Sequence, residues 1–86
     1  MIQLIYAPAF VRAMKKLPVD LQEEALEKIE SFRNEKNHVQ LKVHKLRGRL
    51  EDRYSFSVNY KVRIIFQFSA SKKAILLSIG DHDIYR

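Results

Sequence analysis

Residues 53–68, "RYSFSVNYKVRIIFQF", alternate between apolar and polar side chains over two consecutive segments. Segment 53–60 places Tyr54, Phe56, Val58 and Tyr60 on one side and Arg53, Ser55, Ser57 and Asn59 on the other. Segment 62–68 places Val62, Ile64, Phe66 and Phe68 inward and Arg63 and Gln67 outward. A period of two is that of a half-buried strand. The connection between the segments is too short for a crossover, so the pattern predicts two antiparallel strands.

Three further strands are predicted around this pair, at residues 2–6, 41–46 and 74–79. The segment "SASKK" reads as the turn before the last of them, and Gly80 ends it. Segments 53–60, 62–68 and 74–79 should therefore form an antiparallel meander.

Two helices are predicted between the first strand and the rest. Pro8 suits the first turn of one helix and Pro18 ends it. The second begins at Asp20, which with Glu23 resembles a capping box, and runs to about Arg33. Its predicted buried stripe is Leu21, Ala25, Leu26, Ile29 and Phe32. The fold class that follows is α+β: an N-terminal strand and a two-helix hairpin packed on a curved antiparallel sheet, in the order β-α-α-β-β-β-β, as one domain over residues 1–86.

Composition excludes several functions. The 86 residues include no cysteine, which rules out a disulfide framework, a thiolate zinc site and a thiol nucleophile. The start of the chain lacks the pattern of a signal peptide, and no apolar run approaches the ~18 residues that span a bilayer. We therefore expect a cytoplasmic protein with no membrane partner.

Positive charge is concentrated in the second part of the chain. Residues 1–35 hold five Lys/Arg and six Asp/Glu, a net charge of −1, whereas residues 36–86 hold eleven and four, a net charge of +7. Basic surface can simply keep a small protein soluble. The segregation favours an anion-binding face instead.

The alternation predicts where that face lies. Arg63 should point away from the helices although its strand is the most apolar and therefore central, so protection of a sheet edge explains it poorly. Residues 42–53 hold the densest basic run, with Gly48 marking a turn or a close backbone approach. Its candidate anion-binding side chains are Lys42, His44, Lys45, Arg47, Arg49 and Arg53. The alternative is a solvated run in which Glu51 and Asp52 pair with some of the arginines.

The ending "GDHDIYR", residues 80–86, offers acid–base chemistry. His82 titrates near neutral pH, and Tyr85 provides a phenol and an aromatic face for base stacking. The alternative is a frayed polar terminus. A metal site at Asp81, His82 and Asp83 is disfavoured because neighbours on an extended chain point in different directions and no second ligand cluster is visible. No metal and no cofactor is predicted.

Together these segments resemble the RelE/ParE superfamily of toxins from bacterial type II toxin–antitoxin operons. The resemblance covers nearly the whole chain. It rests on "IQLIYAPAF", the helical pair, the H-x-L-x-G element of residues 44–48, the arginine of "YKVRIIF" and the close "SIGDHDIYR". It implies two helices on a curved antiparallel sheet and inhibition by a cognate antitoxin encoded alongside. Many members cleave mRNA at the ribosome, whereas the ParE type inhibits DNA gyrase and cleaves nothing.

The resemblance also implies roles for residues. Arg63 would hold the scissile phosphate, His82 would transfer a proton, and Tyr85 would stack on a base or assist that transfer. Lys42, His44, Lys45, Arg47, Arg49 and Arg53 would bind RNA. Ser57 and Lys61 stand where some members carry His or Asp, and Glu51 is one candidate counterpart of the glutamate base that some relatives use. The identity of the general base is therefore left open. The expected function is a ribosome-dependent mRNA endoribonuclease toxin; the alternatives are a ParE-type gyrase inhibitor and an inactive binding member.

Overall fold

A computed structural model describes residues 1–48 and 52–81 of the chain. Its elements, in chain order, are β1 (Gln3–Tyr6), α1 (Pro8–Lys15), α2 (Val19–Phe32), a 3-10 turn (Glu35–Asn37), β2 (His44–Lys45), β3 (Tyr54–Ser57), β4 (Arg63–Ala70) and β5 (Lys73–Gly80). The predicted α+β class and element order are confirmed. Within the described ranges, no helix has both the length and the apolar character needed to cross a membrane.

The five strands form one sheet in the order β1-β5-β4-β3-β2. Strands β3, β4 and β5 pair antiparallel, as the short connections required. Strand β1 pairs parallel with β5, with Gln3 opposite Lys73 and Tyr6 opposite Leu76. Strand β4 lies in the middle of the sheet, so Arg63 begins a central strand, as predicted.

The core lies between the helices and one face of the sheet. Phe32 of α2 stacks on Phe56 with ring centroids 4.5 Å apart and meets Phe66 edge-on at 4.7 Å. Phe56, Ile64 and Phe66 are fully buried. The predicted inward side of the alternating segments is confirmed for all but one of its residues.

That exception is Tyr60, which was expected inside and is 89% exposed. Strand β3 ends at Ser57, and residues 58–61 form the β3–β4 turn. The Asn59 side-chain Oδ1 accepts hydrogen bonds from the backbone N–H groups of Lys61 at 2.9 Å and Val62 at 2.8 Å. This local bonding replaces the strand ladder and turns Tyr60 outward.

Two expectations about α2 were wrong. The helix begins one residue before Asp20, at Val19, with Pro18 as its N-cap and no side-chain capping bond. Asp20 therefore lies in the first turn, where its negative charge interacts favourably with the positive end of the helix dipole. Leu26 is 53% exposed, since the buried line runs through Ala25, Ile29 and Phe32.

The strand predicted at 41–46 is reduced to His44–Lys45. Lys42 has a φ of +57°, a left-handed conformation that no strand contains. Leu41 is nevertheless buried, and its backbone N–H donates to the carbonyl of Asn37 at 3.1 Å. The alternation of Leu41 and Val43 therefore reflects burial of a turn rather than a longer strand.

Candidate functional site

The candidate site lies on the outer face of the sheet, which is the face opposite α1 and α2. Strand pairing puts residues into rows across this face, because directly paired residues of neighbouring strands project to the same side. One row joins Ser57, Arg63 and Gly80. The next joins His44, Ser55, Ile65 and Ser78.

The second row is less open than the sequence predicted. Ser55 was expected to line an open face, yet it is fully buried, and Ile65 is only 3% exposed. The Ser55 hydroxyl lies 3.4 Å from Nε2 of His44, so the small side chain sits beneath a larger neighbour of its own row. The accessible polar groups of the outer face therefore lie at the row of Arg63 and around His44.

Arg63 is half-buried at the start of β4. Its Nη1 donates to the backbone carbonyl of Asn59 at 2.6 Å and to that of Val62 at 3.4 Å. These bonds hold the guanidinium at the end of the sheet where β3 turns into β4. A guanidinium can bind a phosphate through a fork of N–H donors.

The geometry of His44 defines its tautomer. Its Nδ1 lies 2.9 Å from the backbone carbonyl of Lys42, and a carbonyl only accepts, so Nδ1 carries the hydrogen. In the neutral ring, Nε2 then has a lone pair that can accept a proton. The Ser55 hydroxyl, 3.4 Å away, faces this lone pair, while the rest of the exposed ring borders solvent. Sequence reasoning placed His44 among RNA-binding residues and missed this acid–base geometry.

The predicted basic run is described at residues 42–48, 52 and 53, and its part around β2, at the edge of the sheet, is termed the basic loop. Lys42, Lys45 and Arg47 are exposed, and Gly48 turns the chain with a φ of +71°. Among the described residues, no atom lies within 4 Å of a Cβ built on Gly48, so glycine is favoured here by its positive φ and not by a close approach of any of them. An open cavity of about 440 Å³ is lined by Lys45, Leu46, Arg47 and Gly48. Arg49 and Glu51 lie outside the described residues.

Arg53 has an acidic neighbour, as one alternative for this run anticipated. Its Nε lies 4.0 Å from Oδ1 of Asp52, which is too long for a hydrogen bond. The other carboxylate oxygen of Asp52 accepts a bond from Nε2 of Gln67 at 3.3 Å. Arg53 is therefore a weaker candidate for binding an external anion than Lys45 or Arg47.

His82 and Tyr85, the predicted proton-transfer and aromatic residues, lie outside the described residues. The described chain ends at Asp81, one residue after Gly80, and Gly80 is the strand partner of Arg63. Among residues 1–48 and 52–81, no group of three His, Cys, Asp or Glu side chains could hold a metal ion.

Several solved structures with this architecture are described as toxins or toxin–antitoxin complexes. The toxin–antitoxin complex RelBE2 from Mycobacterium tuberculosis matches with a TM-score of 0.76 and 13% identity, over 94% of this chain and 98% of the other. The archaeal RelE–RelB complex from Pyrococcus horikoshii matches with a TM-score of 0.71 and 20% identity, over 93% of each chain. A YoeB/ParE toxin from Agrobacterium tumefaciens matches with a TM-score of 0.68 and 13% identity, over 94% and 99%.

These matches confirm that the chain has the RelE-like fold predicted from its sequence. The likeness at these identities is one of fold. No family model and no curated protein sequence matches the chain.

Proposed function

We propose that this chain is the toxin of a type II toxin–antitoxin system and that it cleaves mRNA on the ribosome. The toxin assignment is supported by the fold, since each of the three matched structures is described as a toxin or a toxin–antitoxin complex. Its partners would be a cognate antitoxin, mRNA and the ribosome, and its compartment would be the cytoplasm.

One observation carries the nuclease proposal: Arg63 and a proton-accepting nitrogen of His44 belong to neighbouring rows of one sheet face. Their strands are separated by β3, so their Cα atoms lie about 10 Å apart across the sheet and about 7 Å along it. The two side chains therefore border one stretch of the outer face, on which a ribose–phosphate unit would lie between them. The exposed Lys45 and Arg47 extend the positive surface along the RNA backbone.

The proposed reaction is attack of a ribose 2′-oxygen on the adjacent phosphorus. The O2′–P bond forms as the P–O5′ bond breaks, which leaves a 2′,3′-cyclic phosphate and a 5′-hydroxyl. Nε2 of His44 accepts the 2′-hydroxyl proton, and Arg63 stabilises charge on the phosphate oxygens. His82 donates a proton to the leaving O5′, and Tyr85 stacks on a base beside it.

Arg63→Ala and His82→Ala should each remove inhibition of bacterial growth while leaving a folded, antitoxin-binding protein. His44→Ala should lower RNA cleavage about 10²–10⁴-fold, the usual contribution of one proton-transfer group. Arg12→Ala, an exposed change on α1, is the matched control and should remain toxic. Full toxicity of both the Arg63 and the His82 variants would show that the site is wrongly assigned.

Inhibition of DNA gyrase is the second candidate function, because one matched toxin carries the ParE name. Pulse labelling after induction separates the two. Rapid loss of protein synthesis with cut mRNA supports the nuclease. An early stop in DNA replication with induction of the SOS response supports the gyrase inhibitor.

A further inference from the structure

The β3–β4 turn presents an aromatic side chain to solvent. Tyr60 is 89% exposed, and its ring makes no stacking contact with another ring of the described residues. Turn positions of this kind usually hold Gly, Asn, Asp or Ser. The hydrophobic core therefore does not account for an aromatic residue at this position.

The turn that carries Tyr60 is held from three directions. The Asn59 side chain accepts bonds from the backbone N–H groups of Lys61 and Val62, and its Nδ2 donates to Oε1 of Glu24 on α2 at 3.0 Å. The Asn59 carbonyl accepts the 2.6 Å bond from Arg63. The backbone of Tyr60 is thus held one residue away from Asn59, whose carbonyl anchors the proposed phosphate-binding arginine. A side chain on an ordered turn spares a partner the cost of ordering the backbone on binding.

A positively charged groove lies beside Tyr60. It has a volume of about 210 Å³, and its lining includes Tyr60, Lys28 of α2, and Lys42 of the turn before β2. Among the described residues that line it, none is acidic. The volume is below the ~300–1,000 Å³ typical of small-molecule pockets, so it suits a backbone segment better than a whole drug-sized ligand.

We propose that Tyr60 and this groove form a nucleotide subsite for single-stranded RNA, next to the scissile position. Tyr60 stacks on one unpaired base, while Lys28 and Lys42 bind the adjoining phosphates. Unpaired RNA fits best because its bases can be splayed onto an aromatic ring, whereas duplex bases are already stacked. This inference rests on the proposed function and names the part of the substrate that contacts the turn.

The test is binding of a labelled single-stranded RNA oligonucleotide to the whole chain. Every ribose carries a 2′-O-methyl group, so that 2′-oxygen attack is blocked. Tyr60→Ala should weaken binding roughly 5- to 100-fold, the range of one base–aromatic stack, and Tyr60→Phe should stay within about twofold of the original chain. An oligonucleotide of equal length with abasic residues should bind the Tyr60→Ala variant and the original chain equally.

The groove lysines have a separate readout. Lys28→Ala and Lys42→Ala should each lower the slope of log affinity against log salt by about 0.7, the value for one phosphate contact on a single strand. Lys16→Ala, an exposed change at the end of α1, should leave the slope unchanged. Far-ultraviolet circular dichroism of each variant confirms that the fold is retained.

Several results would overturn the subsite. One is failure of the original chain to bind the oligonucleotide. Another is a Tyr60→Ala variant that binds the oligonucleotide as tightly as the original chain does. A third is a Tyr60→Ala variant that loses as much affinity for the abasic oligonucleotide as for the one with bases. A Tyr60→Ala variant that loses only antitoxin binding would make the turn a protein contact instead. If Arg63→Ala removes growth inhibition but Tyr60→Ala leaves RNA binding unchanged, the subsite alone is refuted.

If Tyr60→Ala weakens binding only when the RNA carries bases but Arg63→Ala stays toxic, the nuclease proposal alone is refuted.

Discussion

Phe32 packs against three other rings between α2 and the sheet. It is fully buried, and its ring meets those of Phe56, Phe66 and His38 with centroids 4.5–4.7 Å away. Nε2 of His38 also lies 2.8 Å from the Phe32 carbonyl, so this histidine caps the end of α2. His38 is therefore a structural histidine, in contrast to the exposed His44.

Phe32→Ala should lower the free energy of unfolding by about 3–5 kcal/mol, because it leaves a cavity among three aromatic rings. Chemical denaturation monitored by circular dichroism measures the change. Val39→Ala is the control: Val39 is 88% exposed, and its replacement should shift the free energy by about 0.5 kcal/mol or less. A Phe32 variant as stable as the control would contradict the packing described.

In the turn before β2, the same residue, Lys42, has a strained backbone conformation and a side chain that is a candidate RNA contact. Lys42 adopts a φ of +57°, where a side chain costs roughly 1–2 kcal/mol relative to the right-handed region. Its carbonyl fixes Nδ1 of His44 at 2.9 Å. The conformation thus orients the histidine ring while the Lys42 side chain remains exposed.

Two substitutions at position 42 separate strain from charge. Lys42→Gly should be more stable than Lys42→Ala by about 0.5–1 kcal/mol, because glycine accepts this conformation and alanine keeps the Cβ that opposes it. Both changes remove the same cation, so RNA affinity should fall equally. Thermal unfolding and oligonucleotide binding measure the two effects. An alanine variant as stable as the glycine variant would argue against strain here.

The strands and helices themselves were largely predictable, because the spacing of apolar residues in each one follows the face that is buried in the core. Phe56, Ile64 and Phe66 point inward as their period of two required. Tyr60 did not follow the pattern, because the bonds that Asn59 Oδ1 accepts from the backbone N–H groups of Lys61 and Val62 replaced the strand ladder. Periodicity detects burial and cannot detect such local hydrogen bonding.

The position of one candidate residue was predictable. Arg63 was selected because a charged residue in a central apolar strand is unusual, and it does begin the central strand β4. Burial of Ser55 depends on contact between β2 and β3, which are distant in sequence, and it could be inferred only once the pairing of His44 with Ser55 was known. The tautomer of His44 depends on the Lys42 carbonyl in the left-handed turn, a conformation that alternation does not reveal.

At the scale of the whole molecule, the two parts of the chain differ in charge. The helical part, residues 1–35, has a net charge of −1, and the remainder has a net charge of +7. Acidic residues of α2 line one cavity, with Asp20, Glu23, Glu24 and Glu27 around it. This acidic cavity of α2 therefore repels a polyanion that the basic loop attracts, which favours one orientation of approach.

The double change Lys45→Ala with Arg47→Ala should lower the salt slope of RNA binding by about 1.4, because two phosphate contacts are lost. The matched double change Arg12→Ala with Lys16→Ala removes the same charge from the helix side and should leave the slope unchanged. Titration of binding at several salt concentrations measures both. Equal slopes for the two double variants would place the loop outside the RNA footprint.

The parallel pairing of β1 with β5 has a consequence for biosynthesis. The first strand made has the last strand as its neighbour in the sheet, with Ile5 opposite Ile75. Until β5 has been synthesised and has left the ribosome, β1 lacks its partner strand and the sheet stays incomplete. Contacts between segments so far apart in sequence are slow to form, so pairing of β1 completes the sheet late in folding.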